Sequence, residues 1–222
     1  KQNPAVYLTA RREMILAPMQ YHATLSHWFL KLLHVKGLLK RYYSTNIDGL
    51  DAQINLPDDL VCNVHGTLAK AYCIKCKALV DMDWFRKLVQ AQKYPILCPK
   101  QHCNGYVKPN TVLFGESLPE RYHQLTSTDK DLDDVDLFIV IGTSLAVSPS
   151  NYLPTYVDRK RCVRLLVNRD KVHIAFDFHD AQSNDIWLKG NCDDGFKQLT
   201  QLLGWGRDLY RILPDPLKEK NK

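Results

Sequence analysis

Two pairs of cysteines constrain the fold of this chain more than any other feature. Cys73 and Cys76 form the first pair, and Cys98 and Cys103 form the second after a spacer of about twenty residues. Zinc binds four thiolates in a tetrahedron, and each pair in such a site supplies two ligands from one turn. His102 lies inside the widened second pair and competes with Cys103 as the fourth ligand, although we favour Cys103. Four unrelated thiols are the disfavoured alternative. A site with four protein ligands is closed, so the metal is expected to be structural.

The composition is that of a globular protein with reduced cysteines. The chain has 222 residues, of which 45% are hydrophobic and 24% are charged. There is no secretory pattern, so we expect no disulfide framework and interpret Cys62, Cys162 and Cys192 as small buried thiols. No apolar run approaches a membrane span, so no membrane association is expected. The net charge of +6 is dispersed, and we expect no sequence-specific nucleic-acid binding.

Apolar periodicity predicts helices along much of the chain. The clearest covers 23–36, where apolar residues recur at helical spacing before Gly37. Others are predicted at 6–16, around 84–89 between the cysteine pairs, and up to Gly204 near the end. The charged tail, 214–222, is expected to fray.

Short apolar runs predict strands. Residues 135–141 form a nearly continuous apolar run, which is typical of a central parallel strand, and 162–167 and 185–188 resemble it. A further buried strand is expected over 38–43, and an extended segment over 112–114. The sequence therefore predicts an α/β protein with a parallel sheet.

Polar residues follow two of these strands. Asn46 and Asp48 come after 38–43, and Thr143 and Ser144 come after 135–141. Ligands of open α/β sheets bind beyond the carboxyl ends of the strands. His65 can exchange a proton near neutral pH. We therefore expect a ligand site that includes these residues.

Taken together, these motifs resemble the sirtuin family of NAD-dependent protein deacylases, over about residues 26–205. The match consists of Thr45-Asn46-Ile47-Asp48-Gly49-Leu50, His65-Gly66, the two cysteine pairs, Val107-Lys108-Pro109, Phe114-Gly115-Glu116, Gly142-Thr143-Ser144, Asn168-Arg169-Asp170 and Gly190-Asn191-Cys192-Asp193. The segment 185–205 looks most like the class that contains the cytosolic eukaryotic deacetylases.

The resemblance implies a two-domain fold. A Rossmann-like parallel sheet with helices on both faces would comprise 38–70 and 104–205. A small zinc-ribbon and helical domain would comprise 1–37 and 71–103, and 206–222 would form a C-terminal tail. NAD and acetyl-lysine would meet in the cleft between the domains.

The resemblance also implies an activity, namely NAD-dependent protein-lysine deacetylation with release of nicotinamide and transfer of the acetyl group to ADP-ribose. His65 would be the general base, and Asn46 and Asp48 would complete the catalytic group. The implied NAD-binding residues are Thr45, Asn46, Ile47, Asp48, Gly142, Thr143, Ser144, Asn168, Arg169, Asp170 and Cys192. The implied substrate-binding residues are Val112, Leu113, Phe114, Gly115 and Glu116, with Phe114 lining the acyl-lysine tunnel.

The implied ligands are NAD and Zn²⁺, and the implied partners are acetylated proteins, histones or others. A cytoplasmic location is expected, with a nuclear one as the alternative. Two other functions stay open. One is a catalytically inactive zinc-binding module. The other is a sirtuin that transfers ADP-ribose or removes long acyl chains.

The sequence also departs from the family pattern. Thr45 stands where the family has Gln, and Asn110 and Asn191 stand where Asp is common. The Gly-Ala-Gly phosphate loop and the Pro-Asp-Phe-Arg loop are not found, and the first glycine is Gly37. The chain thus looks like a sirtuin without its N-terminal segment, and we expect it to bind NAD weakly and not to deacetylate when expressed alone.

Overall fold

The structure is a computed structural model that describes residues 4–113, 115–172, 175–180 and 182–220. It confirms the α/β class. The helices are α1 (Pro4–Ala10), α2 (Arg12–Leu16), α3 (Leu25–Val35), α4 (Met82–Gln90), α5 (Glu120–His123), α6 (Cys192–Leu202), α7 (Gly206–Ile212) and α8 (Asp215–Lys220). The strands are β1 (Tyr42–Ser44), β2 (Val61–Asn63), β3 (Gly66–Cys73), β4 (Leu79–Val80), β5 (Val107–Thr111), β6 (Leu137–Ile141), β7 (Val163–Asn168) and β8 (Asp185–Lys189). Among the described residues, no helix is both long and apolar enough to cross a membrane.

The chain forms two compact units. The first unit comprises Lys1–Ala23, Tyr43–Asn55 and Asn63–Pro119, and the second comprises Thr24–Tyr42, Leu56–Cys62 and Glu120–Lys222. These bounds differ from the predicted domains, most visibly at α3, which lies in the second unit. The domain boundaries stay a prediction.

The first unit is built on the antiparallel sheet β4-β3-β5. Ala71 and Val107 point from this sheet into a core that they share with Phe85 and Val89 of α4. Both α4 residues are fully buried because they lie four positions apart, on one helix face. Asp81 caps this helix by accepting a hydrogen bond from the Trp84 backbone N–H at 2.7 Å.

The second unit contains the parallel sheet β6-β7-β8. Leu165 and Val167 of β7 pack on one side against residues of α3, α6 and α7, among them Phe29 and Phe196. Leu166, on the opposite side, packs with residues of the connecting segments. Both sides of β7 are therefore buried, which explains its continuous apolar run. The predicted strands over 135–141, 162–167 and 185–188 are confirmed.

Three predictions of local structure need correction. The strand expected over 38–43 shrinks to β1, which belongs to a two-stranded sheet and not to the parallel sheet. Val112 and Leu113 lie just beyond β5 and outside any strand, while Phe114 lies outside the described residues. The tail does not simply fray, since 215–220 form α8 and Leu217 packs against the same core as α7.

Candidate functional site

His65 lies in the turn between β2 and β3, and its side chain is held in one tautomer. Its Nδ1 is 3.0 Å from the carbonyl oxygen of Thr45. A carbonyl oxygen only accepts hydrogen bonds, so Nδ1 carries the proton of the neutral ring. The other ring nitrogen, Nε2, is shielded from solvent and has no hydrogen-bond partner among the described residues. This nitrogen therefore presents a lone pair, which is what a general base requires.

The backbone on both sides of His65 is tightly packed. Gly66 has a φ of +77°, and a Cβ there would lie 2.1 Å from the carbonyl oxygen of Asn110. Only glycine fits this close approach between β3 and β5. Val112 donates its backbone N–H to the His65 carbonyl at 2.9 Å. His65 is thereby fixed beside the end of β5.

The segment that contains the other predicted catalytic residues runs beside β3. Leu68 donates its backbone N–H to the carbonyl of Ile47 at 2.8 Å. Asp48 accepts a hydrogen bond from the Leu50 N–H at 3.0 Å through Oδ1, while Asn46 is exposed. The structure thus brings the 45–48 segment and His65 together in the first unit, with the Asp48 carboxylate partly engaged.

A small pocket of about 30 Å³ lies in the same unit. Its lining residues are Tyr7, Arg11, Met14, Ile47, Leu68, Thr111, Val112 and Leu113. The three residues from the N-terminal segment were not among the predicted site residues, because their spacing indicates an ordinary helix. Tyr7 reaches Thr111 through a hydroxyl–hydroxyl hydrogen bond of 3.0 Å, which ties this segment to β5.

The extended segment after β5 closes on itself. Leu113 donates its backbone N–H to Oε2 of Glu116 at 2.9 Å, and the Glu116 N–H donates back to the Leu113 carbonyl at 2.9 Å. Oε2 of Glu116 also lies 3.6 Å from Nζ of Lys108. Both main-chain groups of Leu113 are therefore engaged in this structure.

Several predicted cofactor residues meet in the second unit, at the carboxyl ends of β6 and β7. Asn168 donates through Nδ2 to the carbonyls of Thr143, at 3.2 Å, and Asp170, at 2.9 Å. The indole N–H of Trp187 donates to the Asn168 carbonyl at 3.0 Å. Sequence reasoning missed Trp187, since it lies inside a predicted strand and carries no motif of its own.

Cys192, the first residue of α6, lies beside the same two strand ends. Its thiol is 3.5 Å from the Val167 carbonyl, and a Cβ on Gly142 would lie 3.1 Å from its Sγ. Burial, together with the neighbouring Asp193 carboxylate, raises the pKa of the Cys192 thiol, which therefore stays protonated at neutral pH. Ser144 and Arg169 are exposed on the surface.

The four paired cysteines converge in the first unit. The Sγ atoms of Cys73, Cys76, Cys98 and Cys103 all lie within 4.8 Å of one another. Two of the separations are 3.6 Å, between Cys73 and Cys103, and 3.8 Å, between Cys76 and Cys98. In a tetrahedron with zinc–sulfur bonds of about 2.3 Å, neighbouring sulfur atoms lie about 3.8 Å apart. The donor atoms therefore fit a zinc ion, and His102 is not in this group.

The backbone packs closely against the four thiols. A Cβ on Gly105 would lie 2.5 Å from Sγ of Cys73, so the backbone passes directly against the cluster. Burial raises the pKa of Cys73, but backbone N–H groups and neighbouring thiols outweigh it and lower that pKa to about 7. Backbone contact with Lys100 lowers the pKa of Cys98, but burial and the other thiols raise it to about 12. Cys73 therefore ionises at a lower pH than Cys98.

Comparison with known sequences identifies the family. A sequence model of the Sir2 family matches residues 1–149, which is more than half of the chain. The chain belongs to the Sir2 family. This confirms the resemblance to sirtuins and covers His65, the 45–48 segment and all four paired cysteines, whereas Asn168 and Cys192 lie beyond the matched range.

Individual Sir2 relatives match over nearly the whole chain. NAD-dependent protein deacetylase hst2 of Schizosaccharomyces pombe is 34% identical over 96% of this chain and 60% of its own length. NAD-dependent protein deacetylase sirtuin-2 of Danio rerio is 36% identical over 96% of this chain and 58% of its own length. NAD-dependent protein deacetylase HST2 of Candida albicans is 37% identical over all of this chain and 63% of its own length. The chain thus spans about three fifths of the length of these relatives.

Proposed function

We propose that this protein is an NAD-dependent protein-lysine deacetylase. The observation that carries the proposal is the state of His65 in a chain of the Sir2 family. Its Nδ1 is 3.0 Å from a carbonyl oxygen, and its Nε2 is shielded and without a partner among the described residues. An unpartnered shielded nitrogen is unfavourable unless a ligand group meets it. A ribose hydroxyl is such a group.

In this proposal His65 would take a proton at Nε2 from a ribose hydroxyl, while the Thr45 carbonyl accepts a hydrogen bond from Nδ1–H on the other side of the ring. The imidazolium that results keeps the orientation of the neutral ring, because the hydrogen bond from Nδ1 to the Thr45 carbonyl is already in place. NAD would supply the ribose carbon to which the acetyl oxygen bonds. Nicotinamide would be the leaving group from that carbon. Asn46 and Asp48 would hold the nicotinamide-ribose part, and Thr45 and Ile47 would line it.

The second group of cofactor residues would hold the adenosine part. Gly142, Thr143, Asn168 and Cys192 meet at the carboxyl ends of two parallel strands, where open α/β sheets bind ligands. Ser144, Arg169 and Asp170 flank them in sequence. Exposed hydroxyl and guanidinium groups there suit a ribose or a phosphate.

We propose an acetyl group rather than a long acyl chain as the substrate. The matched relatives are named protein deacetylases. Among the described residues, the pocket beside Ile47 and Val112 measures about 30 Å³ and has room for a group of a few atoms. The 112–116 segment would pair with the substrate backbone as an added strand. The Leu113 N–H already donates to the Glu116 side chain, and the Leu113 carbonyl accepts from the Glu116 backbone N–H, so a peptide that pairs with Leu113 has to displace these bonds.

We infer that Cys73, Cys76, Cys98 and Cys103 hold one structural zinc ion. The sulfur separations match a zinc tetrahedron, and four thiolates leave no open position for catalysis. Because structural zinc is coupled to folding, a strong chelator should unfold at least the segment around α4. Freshly purified protein without zinc would contradict this inference.

Acetylated proteins are the proposed partners, in the cytoplasm or the nucleus. All seven cysteines are free in the structure, which is typical of reducing compartments. Nothing in the arrangement selects one target sequence, since an added strand is recognised mainly through its backbone.

The test is an assay of the native full-length protein with an acetylated histone peptide, followed by mass spectrometry. We expect nicotinamide release together with loss of the acetyl mass, only when NAD is added. Addition of ADP-ribose to the peptide would instead support the transferase alternative, and preferential turnover of a myristoylated peptide the long-chain one. No release of nicotinamide from any of these substrates would favour the inactive zinc-binding module.

A further inference from the structure

The sheet β4-β3-β5 has a second face, which points away from the core of the first unit. Side chains alternate along a strand, so Ala71 and Cys73 of β3 point inward while Tyr72 points outward. Ile74 follows β3 directly, and its side chain is exposed. The register places Leu79 opposite Tyr72. Ala71 and Cys73 are fully buried, so the side chain of Tyr72 between them points away from the core.

The outward-facing side chains of the sheet continue with Tyr106 and Leu97, which lie on either side of the second cysteine pair in the sequence. The backbone N–H of Ile74 donates to the Tyr106 carbonyl at 2.9 Å, and Tyr106 forms an antiparallel bridge with Leu97. Directly paired residues of an antiparallel ladder place their side chains on the same face. Tyr72, Ile74, Leu79, Leu97 and Tyr106 therefore form one continuous outer sheet face.

Four of the five residues of the outer sheet face are exposed to solvent, and Tyr72 is half-buried. The exposed fractions are 68% for Leu79, 49% for Leu97, 41% for Ile74 and 39% for Tyr106. Exposed apolar side chains are common when scattered, but a contiguous group of them marks an interaction site. Tyrosines at its centre strengthen this interpretation, since aromatic residues are enriched where partners bind.

The strands that build the outer sheet face are rich in lysine, although the Glu116 carboxylate lies 3.6 Å from Nζ of Lys108. The two stretches that build it, 66–80 and 94–111, contain five lysines and no aspartate or glutamate: Lys70, Lys75, Lys77, Lys100 and Lys108. The ammonium groups of Lys77 and Lys108 lie 5.7 Å and 5.6 Å from the centre of the Tyr72 ring. Positive charge is thus held directly against the apolar surface.

We propose that the outer sheet face docks a segment of a partner protein in which apolar side chains are flanked by aspartate or glutamate. The apolar row offers contact area, and the lysines favour carboxylates and repel basic segments. A symmetric pairing with a second copy is disfavoured, because it would set these lysines against their own copies. This docking function is separate from the proposed deacetylation, since it uses none of the residues assigned to catalysis.

The test is selection of random peptides displayed on phage against the full chain, followed by fluorescence anisotropy with the selected peptides. We expect them to be rich in acidic and apolar residues. Leu79→Ser should weaken their binding at least about fivefold, as for an apolar contact residue. Lys77→Asn should weaken binding and reduce its dependence on salt.

Matched controls exist in the second unit. Leu202 is 78% exposed, so Leu202→Ser removes a similarly exposed leucine. Lys130 and Lys77 are both exposed, and both have a positive φ, 48° for Lys130 and 60° for Lys77. Lys130→Asn therefore removes the same charge from a similar backbone position away from the outer sheet face. Both controls should bind the peptides like the wild type.

Three results would overturn the proposal. One is the selection of peptides without acidic residues, or of none. The second is equal binding by Leu79→Ser and Leu202→Ser. The third is a concentration-dependent dimer that Leu79→Ser abolishes, which would assign the outer sheet face to a second copy.

Discussion

His65 and Thr45 are joined by a hydrogen bond of 3.0 Å between the ring nitrogen Nδ1 and the backbone carbonyl oxygen. The bond depends on the main chain at residue 45, so it tolerates the replacement of the family's glutamine by threonine. It fixes which nitrogen is protonated and leaves the lone pair of the neutral ring on Nε2. Substitutions at Thr45 that keep the backbone in place should therefore preserve this tautomer.

Gly105→Ala should weaken metal binding. The added methyl group would lie 2.5 Å from Sγ of Cys73 and 3.4 Å from Sγ of Cys103, so the sulfur atoms must move apart. A disturbance next to the ligands typically costs about 10- to 100-fold in metal affinity. Competition with a chromophoric zinc chelator measures this. Gly206→Ala is the control, because a Cβ there has no atom within 4 Å. Equal affinities of the two variants would refute the prediction.

Gly66→Ala should destabilise the first unit far more than a positive φ alone explains. Gly66 and Gly37 have similar φ angles, +77° and +71°, but only Gly66 faces neighbouring backbone, at 2.1 Å. Gly37→Ala should cost about 1–2 kcal/mol, the strain of the left-handed conformation. Gly66→Ala should cost several times as much, because β3 and β5 must separate. Urea unfolding compares the two, and equal losses of free energy would argue against the close approach.

Arg164→Ala should strongly destabilise the second unit. Arg164 and Asp185 are both 1% exposed and share two hydrogen bonds, of 2.6 Å and 2.5 Å. Removing the arginine leaves a buried carboxylate whose remaining cation, Arg159, is 4.0 Å away and not within hydrogen-bonding distance. Loss of a buried partner typically costs about 3–5 kcal/mol, and Arg159 should keep the cost near the lower end. Arg161→Ala breaks a comparable but exposed pair with Asp158 at 2.8 Å and should cost far less, because solvent screens the exposed charges. Thermal unfolding of both variants checks this, and a small effect at Arg164 would contradict it.

The sequence predicted the elements whose own residues determine them. α3 lies within the predicted 23–36, and β6 lies within the predicted 135–141. The bounds of β7 and β8 differ from the predicted runs by at most one residue, because these apolar patterns are local. The thiol cluster was predictable for the same reason, since each cysteine pair is a local motif.

Elements that depend on distant partners were not predictable. β3 contains glycine, alanine and lysine, which favour strands poorly, and it is stabilised by β5, some forty residues later. The outer sheet face follows only from that register. The lining of the small pocket by Tyr7 and Arg11 likewise depends on packing against β5, which no periodicity reveals. Charged residues dominate the C-terminal tail, so its sequence did not indicate that Leu213 and Leu217 pack into a core.

Replacement of His65 tests the central claim most directly. In the native protein, His65→Ala should lower NAD-dependent release of nicotinamide from an acetyl-lysine peptide by about a hundredfold or more, the effect of losing a general base. Zinc content and thermal stability should stay close to wild type, and the exposed His22→Ala should behave like wild type throughout. Near-normal turnover in His65→Ala, or a loss of turnover that only follows unfolding, would contradict the account.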